Sequence, residues 1–373
     1  MGLVRRCLKL ALAACIAIAA HLPAVAAPLG LPALAPPPAA QAALGEALFF
    51  ERRLSVNGTL SCAMCHLLEQ GFTANELRTS VGMEGVSLRR NAPTLLNVAY
   101  QRTLFHDGRA ASLEAQALLP LLHPDEMANP SVAALVARVS SLRSYGRRSY
   151  DRLFAQAFGD PKPTGQRIAR ALAAYQRTLV AGDSPFDRWY YGGDASALSA
   201  QARRGFDVFG SQGCSRCHLV GERDALFTDH RFHNIGVGWR SDRLHLQPVQ
   251  VQLVPGVHAR LSADEVARVG VPHVPDMGRF EVTRAAADLR AIRTPTLRNV
   301  ALTPPYMHDG SLDTLEQVIE HHAAGGSPDD PAQDALIRPL ALSRDDRDAL
   351  LAFLHALTSP RLPGRGNASG LRG

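Results

Sequence analysis

Two copies of one five-residue pattern constrain this chain more than anything else in it: Cys62-Ala63-Met64-Cys65-His66 and Cys214-Ser215-Arg216-Cys217-His218. The only other cysteines, Cys7 and Cys15, lie within the first 26 residues. Two thiols three residues apart can add to the two vinyl groups of one haem while the adjacent imidazole reaches the iron. A single CxxCH can be accidental. Two that use every remaining cysteine argue against a thioredoxin-like redox pair or a zinc site, the other uses of this spacing. Covalent haem c is therefore expected at both. His66 and His218 would supply neutral imidazole to iron, each oriented by a hydrogen bond on its other ring nitrogen.

The N-terminus agrees with that chemistry. Arg5, Arg6 and Lys9 precede an apolar run from Leu10 to Ala20, and Ala24-Val25-Ala26 follows as a cleavage site. Residues 1–26 thus read as a secretory signal peptide, and the periplasm is the expected location, because bacteria attach haem c outside the cytoplasmic membrane. The run is much shorter than the roughly 20 residues a membrane span requires, so no transmembrane anchor is expected. Leu12-Ala13-Ala14-Cys15 resembles a lipoprotein processing box, but hydrophobic residues follow Cys15 where polar ones belong. Of 40 Lys+Arg, three leave with the signal, so 37 face 34 Asp+Glu. That balance gives no basic stripe for nucleic acid.

Residues 27–40 are rich in Pro and Ala without an apolar period and read as a flexible lead-in. From Gln41 the clear patterns are helical: Pro130 to Val139, Gly165 to Val180, Ser199 to Phe209 and Ser343 to Leu357, with Ser343 and Asp346 as a cap for the last. No alternating strand series stands out, so the expected class is all-α with long loops. An internal repeat organises the chain. Residues 93–116 and 295–318 align without a gap at an offset of 202, sharing Pro-Thr-Leu, Asn-Val-Ala, His-Asp-Gly and Leu-Glu. The CxxCH motifs are only 152 apart, so about fifty extra residues fall within Leu219 to Ile292 of the second half. Duplication of one haem module is the natural reading, with domains at 41–190 and 191–360 and a flexible tail at 361–373.

At this point the chain resembles the bacterial di-haem cytochrome c peroxidases and MauG, over residues 43–358. Carrying the resemblance are Leu44 to Phe49, Arg53-Leu54-Ser55, Arg90-Asn91-Ala92-Pro93-Thr94, Asp107-Gly108-Arg109, Glu126-Met127 and Tyr306-Met307-His308-Asp309-Gly310. It implies two cytochrome c-like helical domains with a pseudo-twofold relation. The N-terminal haem would be peroxidatic and the C-terminal haem would transfer electrons, with a calcium ion between them.

A haem ligated on both faces shuttles electrons, whereas one with an open face can take peroxide. In the second half Leu315, Val318, Ile319 and His322 form a buried helical stripe, with His321 to one side. His322 also matches the family position of the second axial ligand, which implies bis-histidine ligation by His218 and His322; His321 as ligand, or a carbonyl-bonded core histidine, is the alternative. Subtracting 202 from His322 gives Pro120, which carries no donor. Around that spot the resemblance places Glu126, to carry a proton between the oxygens of hydrogen peroxide, and Gln116, to orient it. No His occurs between Leu67 and Phe105, Met83 reads as a loop or core residue, and the first haem is expected open without prior reduction, unless His106 or His123 binds its iron.

The resemblance also implies calcium ligation by the Asn91 side chain and the Thr303 and Pro305 carbonyls. Family members commonly carry Trp where this chain has His106, between the haems; imidazole is harder to oxidise than indole, which weakens His106 as an inter-haem relay. Three functions follow in order. The first is reduction of hydrogen peroxide with electrons from a small cytochrome c or cupredoxin. The second is MauG-like oxidation of Trp or Tyr on a protein substrate, and the third a di-haem electron carrier. A homodimer is left open, and His245, His258 and His273, in the segment Gly238 to Val274, are unassigned.

Overall fold

A computed structural model describes residues 27–146, 148–269 and 273–364. The expected signal peptide and the tail beyond 364 lie outside the described residues. The helices that shape the molecule are α1 (Ala39–Phe49), α2 (Leu113–Leu122), α3 (Val132–Ser141), α4 (Tyr150–Phe158), α5 (Gly165–Arg177), α6 (Pro185–Tyr190), α7 (Ala200–Ser211), α8 (Val237–His245), α9 (Leu315–Ala323) and α10 (Arg344–His355). Most begin on a hydroxyl that accepts an early backbone N–H: Ser112, Ser131, Thr164, Ser184, Ser199, Thr314 and Ser343. The expected cap of the last helix is a full capping box between Ser343 and Asp346.

Apolar stripes gather these helices around two cores. The first joins Leu44, Phe49, Phe72, Leu96, Leu121, Leu135, Tyr150 and Leu172. The second joins Phe186, Phe209, Phe227, Leu315, Ile319, Phe353 and Leu357. Each core has one very close helix crossing. A Cβ on Gly45 of α1 would lie 1.9 Å from the Ala171 carbonyl oxygen of α5, and one on Gly205 of α7 would lie 1.9 Å from that of Ala349 in α10. Aromatic pairs brace both crossings, Phe49–Tyr175 and Phe209–Phe353, each with ring centroids 5.1 Å apart.

The repeated stretches also fold alike locally. Asn97 and Asn299 both adopt left-handed backbone, φ 60° and 62°. The Asn97 N–H donates to the Leu179 carbonyl, and its amide closes on Ala181 in both directions. Asn299 repeats half of this at the end of α10: its N–H donates to the Leu357 carbonyl and its Oδ1 accepts the Ser359 N–H, while its Nδ2 has no partner. Isolated bridges Leu104–Ala110 and Tyr306–Leu312 follow at the same offset.

Two expectations need correction. First, the chain is helix-rich but not all-α. Three two-stranded antiparallel sheets occur among the described residues: β1 (Ser144–Tyr145) with β2 (Arg148–Ser149), β3 (Phe232–His233) with β6 (Ile292–Arg293), and β4 (Val249–Val254) with β5 (Val257–Leu261). The last is a hairpin inside the extra segment of the second half. Second, the lead-in packs instead of hanging free. Leu29 and Asp183 exchange two hydrogen bonds, Ala225 donates to the Gly30 carbonyl, Tyr100 donates to that of Pro32, and Leu31 is buried. Prolines cost little entropy to immobilise, which is why this segment can order without helical periodicity. The link between the halves is itself ordered: Ser184 and Asp187 cap α6, whose Phe186 is fully buried in the second core.

Candidate haem sites and peroxide pocket

Cys62–Cys65 forms one helical turn and Cys214–Arg216 one 3-10 turn. Each turn ends as the following His donates its backbone N–H to the first Cys carbonyl, 3.0 Å in both motifs. His66 Nδ1 lies 3.0 Å from the Phe72 carbonyl and His218 Nδ1 2.9 Å from that of Phe227. A ring nitrogen facing a carbonyl must carry the proton, so Nε2 is left as the lone-pair donor in both. Phe72 and Phe227 are fully buried with positive φ, which turns their carbonyls toward the imidazoles. Burial keeps both imidazoles below the ordinary range, against the opposing pull of backbone groups that include Pro93 and Pro295 of the repeat. Burial likewise pushes the Cys62 thiol up to about 12 and that of Cys214 up to about 11. Neutral, half-buried thiols at Cys62 and Cys214 beside a tautomer-fixed imidazole fit covalent haem better than a reactive dithiol, which needs thiolate. The donors present therefore fit the group that the motifs imply.

On α2, Pro120 stands inside the helix, and its carbonyl accepts the Met127 N–H at 3.2 Å. That bond folds the segment 123–127 back beside the helix. Burial raises the Glu126 carboxyl above the usual range, with His123 and Arg109 opposing. Glu126 in turn bears electrostatically on both Cys62 and Cys65, so it sits next to the first motif. Gln116 lies one turn before Pro120 on α2 and is partly buried. Each histidine named as a rival iron ligand spends one ring nitrogen elsewhere. His106 Nε2 donates to the Asn91 carbonyl at 3.0 Å, and exposed His123 accepts the Asp125 N–H on Nδ1. Met83 is buried, as a core residue would be, and its N–H donates to the Asp125 carbonyl at 2.7 Å.

In the second half His321 and His322 part company, though not as the stripe suggested. His321 is the more occluded, and its Nε2 donates to the Ile235 carbonyl at 2.9 Å. His322 is only partly closed to solvent, yet its charged form is strongly disfavoured: burial first, then His321 and His218, push it down to about 3. Both observations describe a half-buried ring within electrostatic reach of His218. His321 thus spends Nε2 on a backbone carbonyl, whereas His322 lies close enough to His218 to feel its charge.

Asn91 is buried; its amide donates to the Arg78 carbonyl and its N–H to that of His308. Thr303 donates its hydroxyl to the Val300 carbonyl. Beside it, Asn75 donates to the Leu302 carbonyl while its own buried Oδ1 has no hydrogen-bond partner. A buried oxygen without a donor suits a hard cation, so the residues here are compatible with calcium. Between the halves, Arg90 bonds Asp276 at 2.6 and 2.7 Å and Asp107 at 2.6 Å. His106 and His308, which are equivalent in the repeat, meet edge-on with centroids 6.4 Å apart. Burial pushes His106 down to about 3, so it is neutral.

Sequence reasoning missed one cluster. His233 lies between Asp229 and Asp334 and 3.8 Å from the Cys217 sulfur. Contact with that sulfur first, and then the two carboxylates, push it up to about 10 against burial. Asp229, four residues before His233, was the legible half of this pattern; Asp334, 101 residues later, was not.

A helix-rich chain with two haem c attachment turns and a half-buried carboxyl beside one of them defines a class of di-haem protein. The family described as di-haem cytochrome c peroxidase matches residues 39–196. The chain is 38% identical to methylamine utilization protein MauG of Methylorubrum extorquens, covering 86% of this chain and 81% of that one. It is 34% identical to cytochrome c551 peroxidase of Nitrosomonas europaea, covering 87% and 82%. A crystal structure of a MauG-like protein associated with microbial copper homeostasis aligns with TM-score 0.69 at 31% identity, over 91% of this chain and 95% of that one. The diheme peroxidase BthA from Burkholderia thailandensis aligns with TM-score 0.66 at 25% identity, over 92% and 95%. The chain belongs to the di-haem cytochrome c peroxidase family, is an oxidoreductase of that type, and the family implies two haem c. Among the described residues no helix is long and apolar enough to cross a membrane.

Proposed function

We propose that this protein is a periplasmic peroxidase that reduces hydrogen peroxide at the haem of Cys62, Cys65 and His66. Electrons would enter from a small cytochrome c or cupredoxin through the haem of Cys214, Cys217 and His218. One observation carries the reading: at equivalent positions of two repeated helices stand His322, facing His218, and Pro120, which offers no ligand. The duplicated domains at 41–190 and 191–360 would thus have diverged into an open and a closed centre.

A haem held by Cys62, Cys65 and His66 would supply the electrons that reduce the substrate. The chain's residues do the rest. Glu126, its carboxyl raised by burial, takes a proton from one peroxide oxygen and delivers it to the other, so that the departing oxygen leaves as water. Gln116 orients the substrate from α2. The Phe72 carbonyl holds His66 in the tautomer that donates to iron. Asn91 and the carbonyls of Thr303 and Pro305 would hold calcium between the halves, with the unpartnered Asn75 oxygen nearby in support.

MauG-like oxidation of a protein substrate is the second reading, favoured by the similarity to MauG and opposed by neutral, hard-to-oxidise His106 where an aromatic relay is common. The test is electron paramagnetic resonance of the oxidised protein, followed by peroxide with a reduced small cytochrome. One high-spin and one low-spin haem with rapid cytochrome oxidation supports peroxidase function. A high-spin haem without turnover of small donors shifts the reading to a protein substrate, and two low-spin haems inert to peroxide leave a carrier.

A further inference from the structure

The cluster around His233 has no part in the chemistry so far. Its ring is fixed by the backbone, because β3 pairs His233 with Ile292 of β6. Asp334 Oδ2 lies 2.6 Å from Nδ1 and Asp229 Oδ2 2.9 Å from Nε2. Each carboxylate is oriented independently of the ring: Asp229 accepts the Arg231 N–H and Asp334 that of Leu336, both at 2.9 Å. The Asp334 N–H donates to the Asn234 carbonyl, also at 2.9 Å. An ionised carboxylate can only accept, so a ring placed between two of them carries a proton on both nitrogens and is an imidazolium. All three side chains are more than two-thirds shielded from water, at 14%, 9% and 25% exposure for His233, Asp229 and Asp334. Their charges are therefore felt over a few ångströms with less screening than at the surface.

We propose that His233, held as a cation by Asp229 and Asp334 against the Cys217 sulfur, is a positioning residue that sets the reduction potential of the haem attached there. The inference rests on the reading that Cys214, Cys217 and His218 carry a haem. The Cys217 sulfur would then be a thioether at the edge of the macrocycle, 3.8 Å from His233 Nε2. A cation at that edge favours the reduced iron, which carries one positive charge fewer, and the two carboxylates favour the oxidised iron. Cys217, Asp229 and His233 also lie close enough together to hold a metal ion. That use is incompatible with this geometry, because a thioether bears no thiolate and an imidazolium has no free lone pair.

Opposite charges in one cluster make the test a matter of sign. His233→Gln and Asp334→Asn are made in the full-length holoprotein, haem per chain is counted by the pyridine haemochromogen assay, and both midpoints are followed by spectroelectrochemistry at neutral pH. The expected result is two haems in every protein, with the second haem's midpoint shifted down in His233→Gln and up in Asp334→Asn, and the first haem's unmoved. A merely structural cluster would shift both variants the same way, or neither, and either result overturns the proposal. Should His233→Gln fail to fold, Asp334→Asn alone decides, since an unchanged or lowered midpoint is fatal. Fewer than two haems in the unmodified protein would instead sink the reading of the second motif on which this one depends.

Discussion

In the proposed peroxidase, Glu126 would owe its chemical value to where the chain places it. A carboxyl above its ordinary 4.5 must lose its proton before it can take one from peroxide, so kcat/KM for peroxide should fall on the acid side with an apparent pKa above that value. Glu126→Gln should remove this acid limb and lower kcat/KM by about 10²- to 10⁴-fold while leaving the haem spectra intact. Stopped-flow measurement from pH 4 to 8 checks it, and a variant with undiminished rate would assign the proton transfer elsewhere. The histidine pair makes an equally local test. His322→Ala should turn the second haem high-spin by electron paramagnetic resonance, whereas His321→Ala, whose Nε2 is spent on the Ile235 carbonyl, should leave it low-spin. At this scale the sequence is most legible where chemistry is local. The CxxCH geometry is complete within five residues, and the offset of 202 exposes Pro120 without any fold. Nothing local announces that Asp334 would reach His233.

The elements were legible to the extent that one periodicity decided them. Long amphipathic helices such as α5 and α10 lie within a few residues of their expected bounds, because caps and apolar spacing agree. The β4–β5 hairpin was missed although Val249-Gln250-Val251-Gln252 alternates and Pro255-Gly256 makes its turn. Its Val249, Val254 and Val257 remain exposed, so no core-directed face marked it as a strand. The helix crossings were invisible for the opposite reason: glycine inside a helix pattern reads as a weakness until a second helix is laid across it. Gly45→Ala and Gly205→Ala should each cost about 1–3 kcal/mol, the usual penalty for overpacking, since the new methyl meets a backbone carbonyl that cannot rotate away. Gly210→Ala is the control. It lies on the same α7, where a new methyl would meet nothing within 4 Å, and should stabilise by up to about 1 kcal/mol through helix propensity. Urea denaturation of the three holoproteins would decide, and equal stabilities would mean that the crossings yield without cost.

At the scale of the whole molecule, charge is buried in pairs and histidine is buried neutral, and the two respond to acid in different windows. Arg298, 2% exposed, bonds Asp187 at 2.8 and 2.9 Å and also reaches the carbonyls of Gly30 and Ala225. One guanidinium thus ties the lead-in, α6 and the second core together, and Arg298→Met should cost about 3–5 kcal/mol by leaving Asp187 unpaired. Between the halves, Arg90 chiefly among their charged partners holds Asp107 and Asp276 below the usual carboxylate range against burial. Their stabilising share is present above the unfolded value of 3.8 and is lost only as pH falls below it. His106 and His308 work in the opposite sense. Burial lowers both from 6.5, His106 to about 3. Below pH 6.5 the unfolded chain therefore takes up protons that these folded rings resist, and stability falls with acid, by up to about 1.4 kcal/mol per pH unit for His106. From pH 6 to 4 acid lability should come from the histidines while the Arg90 seam still holds. Unfolding free energies of the oxidised holoprotein across that range should show the slope. His106→Gln, whose amide can still donate to the Asn91 carbonyl, should reduce it by about one proton; an unchanged slope would mean that His106 is not neutral at the meeting of the two halves.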